Sequence, residues 1–154
     1  MRAKMTCLSG VMITASHNQK DDNGVKIIEG DGAMLDQNWE PLAELLVNAP
    51  DLRQCLEALD EHNERSKYGF METIFHDSSM AQACFGMDTR ETSPMLMAAC
   101  IKGCELMGVQ SYNLDLTTTP QLHWLVSNQL THINDVGLYS QHFKDAYLRF
   151  LCLC

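Results

Sequence analysis

The sequence has few basic residues and no long hydrophobic run. Lysine and arginine number 11 against 20 aspartates and glutamates, which gives a formal net charge of −9 at pH 7. Because nucleic-acid binding needs clustered lysine and arginine, this charge excludes nucleic acid as an expected partner. The longest apolar stretches fall well short of the ~20 residues that span a bilayer. Residues 1–6 lack the apolar core of a secretory signal, and no basic amphipathic helix is present, so we expect no membrane partner.

Cysteine is plentiful, but its arrangement fits neither a disulfide scaffold nor a zinc site. The seven cysteines are odd in number and show no spacing typical of a disulfide framework. A structural zinc site needs four convergent ligands, and none of the six histidines completes such a set. We therefore interpret the cysteines as small buried apolar side chains in a reducing cytosol, and we expect a cytoplasmic location.

Apolar periodicity and turn signals predict alternating strands and helices. The hydrophobic fraction of 45% over 154 residues is sufficient for the core of one ordinary domain. In chain order we expect strands at 11–14, 25–28 and 33–35, helices at 39–48 (capped by Asn38) and 52–66, a strand at 83–87, a helix at 94–107, a strand at 109–116, a short helix after residue 120, a linker at 127–135 and a helix at 139–151.

The clearest unit runs from residue 83 to residue 116. Ser93 and Pro94 form a good cap and first-turn pair, and Gly108 is well placed to end the helix that follows them. A strand, a helix and a strand of these lengths predict a parallel crossover. Ligands of such sheets bind at the carboxyl ends of the strands. The fold class is therefore α/β.

A hydroxyl, an imidazole and an amide follow the first strand, at Ser16, His17 and Asn18, and Lys26 is the second residue of the second strand. Ser16 is a candidate acceptor for a phosphoryl group, although a lone turn serine more often bonds its own backbone. His17 is a candidate for orienting the nucleophile or bonding phosphate, although surface histidines are equally common. Lys26 is a candidate proton carrier, although a single lysine at a strand start is more often merely solvated.

Further candidates lie on the neighbouring loops. Asn18 and Asn23 most simply hold turn geometry, with Gly24 supplying a positive φ angle. Arg90 lies between a buried strand and the start of a helix, where a cationic side chain and backbone N–H groups bind anions. An ion pair with Asp88 is an equally good interpretation of Arg90.

A third loop, which carries Thr117, Thr118 and Thr119, precedes a helix that contains His123. For this hydroxyl-rich segment we favour capping and packing over catalysis.

Three segments, taken in order, resemble the α-D-phosphohexomutases. Residues 13–18 (ITASHN) with 23–26 (NGVK) resemble the phosphoserine loop of that family, and residues 86–93 (GMDTRETS) resemble its Gly-x-Asp-Thr-Arg turn. Residues 116–123 (LTTTPQLH) and the insertion at about 31–66 resemble the phosphoacetylglucosamine mutase branch. The resemblance covers about residues 1–151. It departs from the pattern at Gln19, where proline is usual, and at Met87, Glu91 and Thr92.

The resemblance implies a function and a set of roles. Ser16 is implied to be a phosphoserine that exchanges the 6-phosphate and 1-phosphate of N-acetylglucosamine through a bisphosphate intermediate, in UDP-N-acetylglucosamine synthesis. His17 and Lys26 are implied to assist catalysis, and Asn18 and Arg90 to bind the phosphate of the sugar. One Mg²⁺ is implied to bind the phosphate on Ser16 and aspartates that this chain lacks.

The resemblance also implies a mixed sheet with helices on both faces, in a first domain that is incomplete at both ends. We expect that domain at residues 1–127, without its first strand, and a linker with the first helix of a second domain at 128–154. The isolated chain is then expected to have little or no mutase activity. Two alternatives stay open: a non-catalytic fragment that acts as an interaction module, and a phosphoglucomutase or phosphomannomutase relative. The sequence leaves the oligomeric state unknown.

Overall fold

The structure is a computed structural model that describes residues 7–65 and 81–152. Contacts divide the chain into two compact units, one formed by Met1–Met34 with Ser79–Cys154 and the other by Leu35–Ser78. The predicted division after residue 127 stays a prediction.

A mixed four-stranded sheet forms the centre of the first unit, with the order β2-β1-β3-β4. β1 pairs with β2 in antiparallel fashion and with β3 in parallel, and β3 pairs with β4 in parallel. The mixed sheet and the parallel crossover predicted from the sequence are thereby confirmed. The strands are β1 (Cys7–Ile13), β2 (Val25–Ile28), β3 (Ala81–Met87) and β4 (Gln110–Leu116).

Helices cover both faces of this sheet, as expected. Because side chains alternate along a strand, neighbouring residues of one strand belong to different cores. Met12 and Cys84 pack with residues of helix α4 (Thr119–Ser127). Ile13 and Phe85 pack on the opposite face with helix α3 (Ser93–Leu106).

The start of α3 differs from the prediction, whereas its end agrees. Thr92 occupies the N-cap position, and Ser93 is the first helical residue. Ser93 does not cap the helix because its hydroxyl donates to the Asp88 carboxylate at 2.7 Å. Gly108 follows the helix with a φ angle of +72° and donates its N–H to the carbonyl of Glu105 at 3.1 Å. This left-handed residue ends the helix as predicted.

The second unit contains two described helices, α1 (Glu40–Asn48) and α2 (Leu52–Arg65). A 3₁₀ turn at Gln37–Trp39 precedes α1. Asn38 is therefore not the cap that the sequence predicted: its N–H donates to the carboxylate of Asp36 at 2.8 Å, and Asp36 caps the turn. Residue 66, the predicted end of α2, lies outside the described residues.

The prediction of a short strand at residues 33–35 is wrong. Only one isolated antiparallel bridge, between Ile28 and Met34, is present there. The intervening turn explains the difference, because the N–H of Gly32 donates to the carbonyl of Glu29 and the N–H of Glu29 donates to the carbonyl of Ala33. These bonds close a tight turn, and the chain enters the 3₁₀ turn capped by Asp36 two residues after Met34, so the pairing stops at one bridge.

The final helix, α5 (Val136–Cys152), follows a 3₁₀ turn at Ile133–Asp135 and starts earlier than the predicted residue 139. The ring of Trp124 on α4 lies 5.9 Å from the ring of Tyr139 and 5.4 Å from that of His142. Four residues at helical spacing along α5 are all exposed: Phe143, Ala146, Tyr147 and Phe150. Among the described residues, no helix has the length and apolarity to cross a membrane.

Candidate functional site

The carboxyl ends of three strands meet at one edge of the sheet. Ile13 pairs with Met87, and Met87 pairs with Leu116, so the loops that follow β1, β3 and β4 start side by side. A cavity of about 670 Å³ opens among these loops, and its lining includes Ser16 and Arg90. Ligands of α/β sheets bind at this kind of edge.

Ser16 and Lys26 are in direct contact. Lys26 lies in β2 opposite Met12 of β1, so the antiparallel ladder brings its side chain back to the loop that leaves β1. Its Nζ donates a hydrogen bond to Ser16 Oγ at 2.8 Å. The side chain of Ser16 is exposed, and that of Lys26 is partly buried. A hydroxyl that lines the cavity is thus bonded to an ammonium group that can donate a proton.

Ser16 itself adopts the strained backbone conformation of this loop. Its φ angle is +49°, in the left-handed region that costs a non-glycine residue about 1–2 kcal/mol. The prediction that Gly24 supplies a positive φ angle is wrong, since the positive-φ glycines of the described chain are Gly32 and Gly108. Gly24 instead accepts a bond from the N–H of Thr14 at 2.9 Å and donates its own N–H to Asn23 Oδ1 at 2.9 Å. The bond between Thr14 and Gly24 extends the pairing of β1 with β2, so Gly24 does not adopt a left-handed conformation.

Asp88 connects the loop after β3 to the loop after β1. Its carboxylate accepts a bond from Thr14 Oγ1 at 2.7 Å and another from Ser93 Oγ at 2.7 Å. The guanidinium and the backbone N–H of Arg90 donate to the same carboxylate. Burial acts to raise the pKa of Asp88, but the hydrogen bonds from Ser93, Thr14 and Arg90 outweigh it and lower the pKa to about 2. The carboxylate of Asp88 is therefore ionised at neutral pH.

Arg90 forms the ion pair with Asp88 that the sequence left as one of two interpretations. Its Nη2 also donates to the backbone carbonyl of Asn18 at 3.1 Å. The Nε of Arg90 is buried, with no hydrogen-bond partner among the described residues. Arg90 thus ties two loops together, and binding of phosphate by Arg90 and Asn18 stays a prediction.

The side chain of Asn23 crosses to the start of α3. Its Nδ2 donates to Thr92 Oγ1 and to Ser93 Oγ, each at 2.9 Å. An exposed ion pair between Lys20 and Glu91 at 2.8 Å joins the same two loops. Only a role in turn geometry was predicted for Asn23, and its contacts with Thr92 and Ser93 were missed. A signal was available, because both loops belong to the segments that resemble the phosphohexomutases.

Of the remaining candidates, His17 and Thr117–Thr119 line the same cavity, whereas His123 lies beside Gly32. His17 is exposed. Thr117 is buried and donates its hydroxyl to the carbonyl of Leu114 at 3.0 Å, and the N–H and hydroxyl of Thr118 both bond Gln121 Oε1 at 2.8 Å. His123 Nδ1 lies 2.6 Å from the carbonyl oxygen of Gly32. These contacts agree with the predicted capping and packing roles.

The cysteines are less uniform than predicted. Cys84 is fully buried, and desolvation, with a smaller contribution from the charge of Asp135, raises the pKa of its thiol to about 12. Cys152 is exposed, and Cys55, Cys100 and Cys104 are only partly buried. The prediction that the cysteines are buried is therefore wrong for these four. All four lie on helices, and two of them, Cys100 and Cys104, pack against the core that contains Phe85 and Met97. Among the described residues, no three histidine, cysteine, aspartate or glutamate side chains are grouped to hold a metal ion.

Comparison with known proteins agrees with this architecture. Residues 1–54 and 57–142 match the family described as phosphoglucomutase/phosphomannomutase, alpha/beta/alpha domain I. A phosphoacetylglucosamine mutase from Oryza sativa subsp. japonica is 41% identical over 150 residues, which cover 94% of this chain and 25% of the relative. The chain thus spans about a quarter of the length of the curated relatives it matches.

Solved structures show the same likeness. An N-acetylglucosamine-phosphate mutase in its apo form, from the α-D-phosphohexomutase superfamily, matches with a TM-score of 0.63 and 35% identity, over 77% of this chain and 25% of that chain. The Aspergillus fumigatus N-acetylphosphoglucosamine mutase in complex with GlcNAc-6P and magnesium matches with a TM-score of 0.61 and 31% identity, over 80% of this chain and 21% of that one. On its sequence match, its mixed sheet and its loop geometry, the chain belongs to the phosphoglucomutase/phosphomannomutase family and contains its alpha/beta/alpha domain I.

Proposed function

We propose that this chain is the phosphoserine-bearing domain of a phosphoacetylglucosamine mutase, which interconverts N-acetylglucosamine 6-phosphate and N-acetylglucosamine 1-phosphate. The observation that carries the proposal is the 2.8 Å hydrogen bond from Lys26 Nζ to Ser16 Oγ, at the mouth of the cavity at the strand ends. The phosphoacetylglucosamine mutases among the relatives support the choice of sugar.

Ser16 passes a phosphoryl group to the sugar and takes another back. In the first half-reaction the bond between phosphorus and Ser16 Oγ breaks while a bond forms from phosphorus to a hydroxyl oxygen of the sugar monophosphate. The ammonium of Lys26 gives a proton to Oγ, and the imidazole of His17 takes the proton of the sugar hydroxyl. The second half-reaction returns the other phosphoryl group of the bisphosphate to Oγ, and both protons move in the opposite direction.

Asn18 and Arg90 contribute to phosphate binding in this proposal. The amide of Asn18 is exposed beside Ser16 and is available to donate to phosphate oxygens. Arg90 lines the cavity and keeps a positive charge at its wall. Because its guanidinium is already paired with Asp88, we assign it to orienting the loop as well as to attracting the anion.

A magnesium ion is implied by the likeness to a mutase solved with GlcNAc-6P and magnesium. Of the residues described here, only phosphorylated Ser16 would supply a ligand. The carboxylate that lines the cavity, Asp88, already accepts bonds from Thr14, Ser93 and Arg90. The described residues therefore provide an incomplete magnesium site, and the roles of Ser16 and Lys26 are derived without the metal.

The proposal is tested by measuring enzymatic turnover of the full-length protein. Conversion of N-acetylglucosamine 6-phosphate to the 1-phosphate is measured with glucose 1,6-bisphosphate and Mg²⁺ present, and glucose 1-phosphate is the competing substrate. We expect faster turnover of the N-acetylated sugar and none in Ser16→Ala. Faster turnover of glucose 1-phosphate would instead assign the chain to a phosphoglucomutase, and activity retained in Ser16→Ala would refute the phosphoserine mechanism.

A further inference from the structure

The backbone of Ser16 is held by a side chain two residues before it. The N–H of Ser16 donates to Thr14 Oγ1 at 3.0 Å. Thr14 is buried, with 4% of its surface exposed, so water has little access to compete for this bond. Ser16 itself is exposed and has a left-handed φ angle of +49°. A strained, exposed residue persists in one conformation only where its surroundings fix it.

The hydroxyl of Thr14 is oriented by Asp88. Thr14 Oγ1 lies 2.7 Å from Asp88 Oδ2. An ionised carboxylate can only accept hydrogen bonds, so the single hydroxyl proton of Thr14 points to Asp88. The oxygen lone pairs of Thr14 are then free to accept the N–H of Ser16. Since hydrogen bonds in a chain polarise one another, the charge on Asp88 strengthens the second bond.

Asp88 is also held by residues of its own loop. The hydroxyl of Ser93, at the first residue of α3, and the main-chain N–H of Arg90 bond its Oδ1 at 2.7 and 3.1 Å. The position of Asp88 is therefore set by the loop between β3 and α3, and it reaches Ser16 through one hydroxyl group.

We propose that Thr14 is a positioning residue, whose Asp88-oriented hydroxyl fixes the Ser16 amide and so holds Ser16 Oγ against Lys26 for phosphoryl transfer. The transfer part of this inference rests on the proposed function, whereas the conformational part does not. Thr14 bonds the backbone N–H of Ser16 and not the reacting oxygen, so it acts through the backbone of Ser16.

Other contacts close the same loop without touching Ser16. The N–H of Asn18 donates to the carbonyl of Ala15 at 3.1 Å, and Arg90 Nη2 donates to the carbonyl of Asn18 at 3.1 Å. Removal of the Thr14 hydroxyl therefore leaves the loop closed and releases the Ser16 amide in particular. This separation makes the inference testable.

The experiment compares the wild-type chain with Thr14→Val, which keeps the side-chain shape without the hydroxyl, and with Thr14→Ser, which restores it. Thr117→Val is the matched control for stability, because Thr117 is also a buried threonine at a strand end but bonds the carbonyl of Leu114. Two quantities are measured: amide hydrogen exchange at Ser16 by NMR, and the rate of Ser16 phosphorylation by glucose 1,6-bisphosphate.

We expect Thr14→Val to lose the exchange protection of the Ser16 amide while the strand amides keep theirs, and its labelling rate to fall about tenfold, as for loss of one hydrogen bond. Thr14→Ser regains both, and Thr117→Val keeps the Ser16 protection. Unchanged Ser16 protection and unchanged labelling in Thr14→Val would overturn the inference.

The two proposals fail in different ways. A wild-type chain that is not phosphorylated contradicts the proposed function, but the amide exchange still decides the role of Thr14. Should Thr14→Val not fold, the comparison rests on the wild type and Thr14→Ser. A Ser16 amide that exchanges in the folded wild type as fast as in the unfolded chain overturns the inference.

Discussion

Lys26 Nζ lies 2.8 Å from Ser16 Oγ although ten residues separate the two in sequence. The antiparallel pairing of β1 with β2, which places Lys26 opposite Met12, produces this contact. A cation beside the hydroxyl stabilises the oxyanion that phosphoryl transfer leaves behind and supplies its proton.

Replacement of Lys26 by methionine is expected to slow the phosphorylation of Ser16 by about 10²-fold, because a positioned proton-transfer group contributes at least that much to rate. Methionine keeps the length of the side chain without its charge. The rate is measured by mass spectrometry of the peptide that contains Ser16. Lys102→Met is the matched control, since Lys102 is an exposed residue of α3 whose ammonium pairs with Glu105. Equal rates in the Lys26 variant and the control would refute the role of Lys26.

Asp88 is expected to make folding stability pH-dependent. Its pKa falls from 3.8 to about 2 in the folded chain, so its ionised form contributes about 2 kcal/mol of stability above its unfolded pKa. That contribution is lost as the pH falls from about 4 to about 2, where the folded carboxylate takes up a proton.

The measurement for Asp88 is urea unfolding of the wild type and Asp88→Asn at several pH values. The stability advantage of the wild type should be largest near neutral pH and shrink in acid. Asp21→Asn serves as the control, because Asp21 is an exposed carboxylate in the loop between β1 and β2. An advantage that stays constant between neutral and acidic pH would contradict the anionic role of Asp88.

Gly32 and Gly108 are expected to respond differently to alanine. Both have left-handed φ angles, +86° and +72°, so both variants pay about 1–2 kcal/mol of backbone strain. An added Cβ at Gly32 would lie 2.6 Å from Ser127 Cβ and 2.8 Å from the carbonyl oxygen of His123, whereas at Gly108 it would meet nothing within 4 Å. Gly32→Ala should therefore lose about 1–3 kcal/mol more than Gly108→Ala in urea unfolding. Equal losses of unfolding free energy would show that the turn at Gly32 can shift to accommodate the added Cβ without cost.

The cysteines should differ in their reactivity. The thiol of Cys84 is buried and its pKa is raised to about 12, whereas Cys152 is exposed. Since the thiolate is the reacting form, iodoacetamide near pH 8 should alkylate Cys152 quickly and Cys84 slowly, as peptide mass mapping would show. In urea the two rates should converge. Rapid alkylation of Cys84 in the folded chain would contradict its burial.

The sequence predicted the parts of the fold that local signals determine. The bounds of β2 were predicted correctly because a short β-branched run follows the Asn23-Gly24 turn signal. Gly108 was assigned correctly because a left-handed residue after a helix is nearly always glycine. Helix α5 was found by its apolar spacing, although its start was misplaced.

The parts that depend on contacts between distant loops were not predicted. Thr14 and Asp88 are separated by 74 positions, and Asn23 and Ser93 by 70. Ser93 is a good cap by its local sequence, but the Asp88 carboxylate competes for its hydroxyl. The left-handed conformation of the loop between β1 and β2 likewise falls on Ser16 and not on Gly24, and the N–H of Ser16 donates to Thr14 Oγ1.

The most direct test of the account is the covalent state of Ser16. The full-length protein is incubated with glucose 1,6-bisphosphate and Mg²⁺, and its peptides are then mapped by mass spectrometry, with Ser16→Ala treated in parallel. The account predicts one added phosphoryl group on Ser16 in the wild type and none in the variant. A phosphoryl group on another residue, or equal labelling of both chains, would contradict it.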